Sequence, residues 1–279
     1  MDASRFERHR GGVGSPQAAA GAWVLTLLLS LIVVCFAIGA LLGFIGAGGG
    51  GVMVSLLTIA FDLPIHLAVG TALASMLVVA TAGAISHFRE GNINVAAGVT
   101  VGLFGMVGAV LGADIGQGIP ERILQPAAGF ALWFLAFLVW FRTRVASRIA
   151  SGHDPAAPVH TKAQVGGAAV LGVSGGIASA FFGVGMAPFI QLGMLTVFRL
   201  TLVRTIGTTM LALVFISLSG SVALARHGDV SYEHLLGVTI GMTAGSYVGA
   251  KLTGRASADV LRAAIVVTPF VAGTLLIFG

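Results

Sequence analysis

Four consecutive glycines interrupt an apolar segment of this chain, and a weaker copy of the same passage recurs 137 residues later. The first copy reads Phe44-Ile45-Gly46-Ala47-Gly48-Gly49-Gly50-Gly51 and the second Phe181-Phe182-Gly183-Val184-Gly185-Met186-Ala187-Pro188. The same offset relates Gly70 to Gly207, Thr71 to Thr208, Gly83 to Gly220, Arg89 to Arg226, Gly91 to Gly228 and Gly112 to Gly249. Apolar composition alone produces some chance identities. It does not hold so many glycines in register without a gap, so the chain reads as a duplicated unit broken at matching places.

What the unit is made of decides its solvent. Hydrophobic residues are 57% of the chain and charged residues 9%, against about 25% charged in a soluble domain. Apolar runs at or near the ~18 residues that span a bilayer cover 21–43, 66–88, 94–116, 124–141, 163–182, 205–225, 232–250 and 260–279. Two shorter runs, 51–61 and 186–198, follow the glycine passages and suit half-helices or re-entrant pieces shielded by protein. The expected fold is an all-α polytopic membrane protein with the lipid bilayer as its surroundings. It has about eight transmembrane helices in two homologous four-helix repeats, with glycine-broken or re-entrant half-helices. Residues 1–20 form a disordered basic tail, 21–142 the first repeat, 143–162 a cytoplasmic linker and 163–279 the second repeat. The run after the tail is too long for a signal peptide's apolar core of about 7–15 residues and is read as a retained first helix.

The net charge of +5 is a topology signal rather than a nucleic-acid footprint, because no basic stripe with interleaved aromatics is present. Arg142, Arg144, Arg148 and Lys162 place the linker in the cytoplasm by the positive-inside rule. Eight crossings put the basic tail there too and are the expected count. Ten crossings, with 51–61 and 186–198 passing fully through, would invert the halves. The tail would then lie outside, and Arg199 and Arg204 would join the linker side.

Glycines at a break permit unusual backbone angles and close approach. A half-helix starting there presents unpaired N–H groups and a positive dipole end, which bind anions. Gly46, Gly48, Gly49 and Gly50, with Gly183 and Gly185, are therefore candidate substrate-binding positions. Gly70-Thr71 and Gly207-Thr208 form a second matched pair whose hydroxyls can donate to an oxyanion or bond back to a carbonyl one turn earlier. Arg204, three residues before Gly207, can add a charged contact or anchor at the interface; His66, four before Gly70, is a candidate proton or substrate relay or a wet loop residue. Scattered glycines such as Gly98, Gly102, Gly105 and Gly108 are read as close helix packing. Cys35, the single cysteine, is read as a small buried hydrophobe. No catalytic constellation, cofactor motif or histidine metal spacing stands out, and no Walker sequence supplies ATP. The partner implied is a small anion moved down an ion gradient or its own; homo-oligomer formation is left open.

Phe44 to Gly50, His66-Leu67-Ala68-Val69-Gly70-Thr71-Ala72, Ser86-His87-Phe88-Arg89-Glu90-Gly91-Asn92-Ile93 and Arg204-Thr205-Ile206-Gly207-Thr208-Thr209 resemble the TauE/SafE sulfite-exporter family, also called toluene-sulfonate uptake permeases. The resemblance covers the chain after residue 20. It implies an inner-membrane carrier of sulfite, sulfonates, sulfoacetate or related sulfur oxyanions, with export the expected direction. The family often has Thr-Ser where this chain has Thr71-Ala72, which removes one hydroxyl from the first half. The alternatives are a carrier of another small organic or inorganic anion, or a non-transporting membrane partner subunit.

Overall fold

The computed structural model describes residues 28–41, 50–149, 162–183, 186–253 and 258–279. They form ten helices and no strand: α1 Leu28–Leu41, α2 Gly50–Ala60, α3 Ile65–Arg89, α4 Val95–Gln117, α5 Glu121–Ile149, α6 Lys162–Phe182, α7 Ala187–Thr196, α8 Leu202–Arg226, α9 Tyr232–Thr253 and α10 Ala258–Phe278. Five of them, α3, α4, the Glu121–Phe141 part of α5, α6 and most of α8, are long and apolar enough to cross a membrane. The helices follow the apolar runs closely, and both short runs are helical in their own right. The tail, the centre of the linker and Gly46, Gly48, Gly49 and Gly185 lie outside the described residues.

The 137-residue offset extends to the backbone. Helices α3 and α8 begin and end at that spacing. Asp62 and Arg199 both take φ 52°, and Gly91 and Gly228 take φ 70° and 84° after α3 and α8. Each of these glycines ends its helix with the same bonds: Asn92 N–H reaches His87 O at 2.9 Å, and Asp229 N–H reaches Leu224 O at 3.0 Å. Those are the long bonds of a Schellman motif, which needs a left-handed residue just past the helix.

Two helices, α3 and α8, pack together at the centre, and their contacts fix how the halves are related. A β-carbon on Gly70 would overlap the carbonyl of Asp229, which follows α8; one on Gly207 would overlap the carbonyl of Asn92, which follows α3. Beside these, Ser231 N–H donates to Thr71 Oγ1 and Asn94 N–H donates to Thr208 Oγ1, both at 2.9 Å. Every contact is matched by its partner at the 137 offset with the two halves exchanged. The start of α3 therefore meets the end of α8, and the helices run antiparallel. A two-fold axis along the helices would make them parallel, so the axis crosses them and the halves are inverted.

The outer helices repeat the exchange. Gly108 and Gly112 of α4 lie against backbone of Val173 and Ile177 of α6; Gly245 and Gly241 of α9 lie against Phe36 and Cys35 of α1. Gly98 and Gly102 of α4 take Leu211 and Phe215 of α8, so these glycines serve close packing, where dispersion at short range replaces the hydrophobic effect. Helices α5 and α10 pair at the side, with the Trp133 ring stacked on Phe270 at 5.5 Å.

This arrangement departs from the expectation of eight spans in parallel halves. The departure has a physical cause: loop charges are equally compatible with both counts, whereas the glycine and threonine contacts exist only between antiparallel helices.

Two measurements check it. In a Cys35→Ala background, cysteines at Glu90 and Arg199 should react with an impermeant thiol reagent from the same face, opposite to cysteines at Gly118 and Gly228; parallel halves would separate Glu90 from Arg199. Thr208→Val leaves the Asn94 N–H without its acceptor, a loss of about 1–3 kcal/mol. Its melting temperature should fall while Thr208→Ser stays near wild type.

Candidate functional site

The expected site residues divide by what they touch. Gly70, Thr71, Gly207 and Thr208 are buried in the contact between halves, where their hydroxyls already accept backbone N–H groups. The two pairs sit at opposite ends of the α3–α8 pair and do not meet each other. Gly183, at φ 67°, lies at the end of α6; a β-carbon there would come within 2.7 Å of Val54 and 2.9 Å of Val69. It thus abuts α2 and α3 one residue from Gly70, so one glycine break and one Gly-Thr pair do come together. Gly50 opens α2 and is buried. His66 is half-buried, with Nε2 3.2 Å from Ile119 O, which ties α3 to the turn after α4. Arg204 is half-buried in the first turn of α8.

Burial uncovers a second group of side chains that motif reasoning did not single out. Thr205 and Thr209, one turn apart on α8, are 0% exposed, and neither hydroxyl has a hydrogen-bond partner. Gln191 of the packed neighbour α7 is also 0% exposed. Their counterparts 137 residues earlier are Ala68, Ala72 and Val54. Val54 and Val69 meet at Gly183, so α2 and α3 close on each other at that level; Gln191 and Ile206 hold the matching places on α7 and α8. The second half has therefore exchanged three apolar positions on α7 and α8 for a carboxamide and two hydroxyls, with Arg204 next to Thr205 along the chain. A signal for this was available in the sequence as polar-for-apolar exchange between matched positions.

Helix α6 carries another polar element. Leu171 and Gly175 of α6 pack against Gly193 and Ile190 of α7. One turn further along α6, Ser179 is 0% exposed and its hydroxyl lacks a partner. Met186, which precedes α7, makes no side-chain cap. The short helix α7 thus carries an uncharged donor, Gln191, at its middle, and its N-terminal end carries the positive pole of its dipole.

An unpartnered buried hydroxyl costs about 1–3 kcal/mol. Such groups call for a partner, whether a bound water, an ion or a ligand. Hydroxyl and amide N–H groups can donate to an anion, and the want of a nearby carboxylate removes the negative charge that would draw a cation in preference. Carboxylates among the described residues lie instead at helix ends: Asp114 with His227 at 3.0 Å, and Asp229 with the Gln117 amide. No group of three His, Cys, Asp or Glu residues that could hold a metal occurs among the described residues.

Comparison with known proteins agrees with this geometry. The family model for the sulfite exporter TauE/SafE matches residues 31–276. The probable membrane transporter protein YdhB of Bacillus subtilis (strain 168) is 39% identical over 89% of this chain and 99% of its own length. A probable membrane transporter protein of Xylella fastidiosa (strain Temecula1) is 28% identical over 80% of this chain and 83% of its own. The probable membrane transporter protein YjnA of Bacillus subtilis (strain 168) is 23% identical over 82% and 91% respectively. No solved structure matches the chain. Long apolar helices, buried uncharged donors and a match along nearly the whole length agree: this is a multi-pass membrane transporter, not an enzyme, and the chain belongs to the TauE/SafE sulfite exporter family.

Proposed function

We propose that the protein is a secondary carrier of a small sulfur-containing oxyanion such as sulfite, a sulfonate or sulfoacetate, that it works in export, and that the anion binds beside Thr205, Thr209 and Gln191. The observation that carries this reading is the pair of buried, unpartnered hydroxyls on α8. Each oxygen of a sulfite or sulfonate group accepts a hydrogen bond, and two hydroxyls one helical turn apart can serve two of them. Arg204, in the same turn, adds a planar fork suited to an oxyanion.

The inverted relation of the halves supports carriage rather than a passive role. Inverted repeats provide two related conformations, one open to each side, and place irregular backbone where it lines the route. The glycine breaks of the two halves are the natural places for that irregular backbone. In the same reading the halves are homologous repeats of five helices each, the chain makes ten passes through the cell inner membrane, and the basic linker faces the cytoplasm.

The test couples transport to stability. Thr205→Val and Thr209→Val replace hydroxyls by methyl groups of similar size. Removing an unpartnered buried hydroxyl should hold or raise the melting temperature of the free protein. Removing a donor to a charged oxyanion forfeits about 1.5–3 kcal/mol, so apparent affinity in proteoliposome flux should fall roughly ten- to a hundredfold per site, at ~1.4 kcal/mol per decade. Arg204→Gln should impair flux severely and Arg204→Lys partly. Sulfur oxyanions should outrun carboxylates of equal charge in the same assay. Unchanged flux in the double Thr→Val variant would remove these hydroxyls from the route.

A further inference from the structure

Four of the chain's eight methionines line one small internal cavity. Met53 comes from α2, Met76 from α3, Met210 from α8 and Met242 from α9, and the cavity they share holds about 30 Å³. A fifth sulfur stands behind them: Cys35 Sγ of α1 is 4.0 Å from Met53 Sδ. Space for the Met210 thioether is left by Gly83, where a β-carbon would lie 3.3 Å from Met210 Sδ. The single side-chain hydroxyl in the wall, Ser75, is turned back onto Ala72 O at 2.8 Å.

Packing alone does not call for sulfur here. The counterparts of these five residues at the 137 offset are Ile190, Leu213, Leu73, Gly105 and Gly172. The matching positions are three aliphatics and two glycines, so the sulfur side chains gather at only one of the two places that the repeat provides. Methionines from four helices line the one cavity, and the Cys35 sulfur of a fifth helix stands behind Met53.

We infer that this cavity binds one soft monovalent metal ion, of the copper(I) or silver(I) class, through the thioether sulfurs of Met53, Met76, Met210 and Met242, with Cys35 in reach as a fifth ligand. A cavity of about 30 Å³ has room for a water-sized occupant such as a single ion. Hard cations prefer several oxygen ligands, and the wall's one side-chain oxygen, Ser75, is turned back onto Ala72 O; thioethers select soft ions. Methionine has three rotatable bonds, so its sulfur can swing to a shared centre without moving the helices. A coordinating thiol loses its proton to become thiolate, so Cys35 can balance the single positive charge in an apolar interior. The site is separate from the hydroxyls of α8 proposed for the oxyanion.

The experiment uses the purified full-length protein in detergent, titrated without oxygen against copper(I) held by bicinchoninate, with X-ray absorption at the copper edge on the complex. One equivalent should be withdrawn per chain, and the first shell should contain sulfur only. Met76→Leu combined with Met242→Leu conserves volume, which cores tolerate, and should weaken binding at least tenfold. Cys35→Ser should weaken it as well. Met106→Leu, on α4 away from the cavity, should leave it unchanged. Failure of the wild-type protein to withdraw copper(I), or a shell of nitrogen and oxygen, would overturn the proposal. So would full affinity in the Met76→Leu, Met242→Leu protein.

Discussion

The structure depends on one reciprocal contact. At Gly70 the absence of a side chain admits the carbonyl of Asp229, and at Gly207 it admits that of Asn92. The next residue in each case, Thr71 or Thr208, turns a hydroxyl to the backbone N–H that follows in the facing loop. In a membrane, helices gain little from excluding lipid, so association relies on close backbone approach and interhelical hydrogen bonds. The α3–α8 contact uses both. It also satisfies one backbone N–H in each of two loops, at Ser231 and Asn94. Once α3 and α8 are antiparallel, each half must run opposite to the other, and the α4–α6 and α9–α1 packings follow as exchanged copies.

Against that near-symmetric frame, both proposed sites fall at departures from symmetry. Thr205, Thr209 and Gln191 replace Ala68, Ala72 and Val54, so uncharged donors are concentrated in one half. The sulfur side chains of Met53, Met76, Met210 and Met242 replace aliphatics or glycine around a different cavity. A frame built twice needs only one copy of each residue for packing to work. The second copy is free to differ, and the proposed function uses that freedom: the unpartnered hydroxyls of Thr205 and Thr209 are where it places the ligand.

Much of the fold was legible before any coordinates. Apolar runs gave the helix positions to within a few residues, because a bilayer leaves the backbone few other ways to bond, and the glycine register pointed to the duplication. Scattered glycines on α4 were read as packing and are packing. The Gly-Thr pairs were harder. A threonine beside a glycine is an equally good ligand donor and an equally good bond to a neighbouring loop, and the choice rests on residues 160 and 114 positions away. Thr205 and Thr209 were missed because they form no motif; they become conspicuous through burial without a partner.

The sequence by itself determined that this chain is membrane-embedded, all-helical and built at a 137-residue repeat, since these follow from composition and local periodicity. Only the tertiary structure decided the direction of one half relative to the other, and which polar residues are spare. The loop charges satisfy either direction. Orientation is set instead by where Gly70 and Gly207 allow backbone to approach, and whether a hydroxyl has a partner is a property of the packed helices around it.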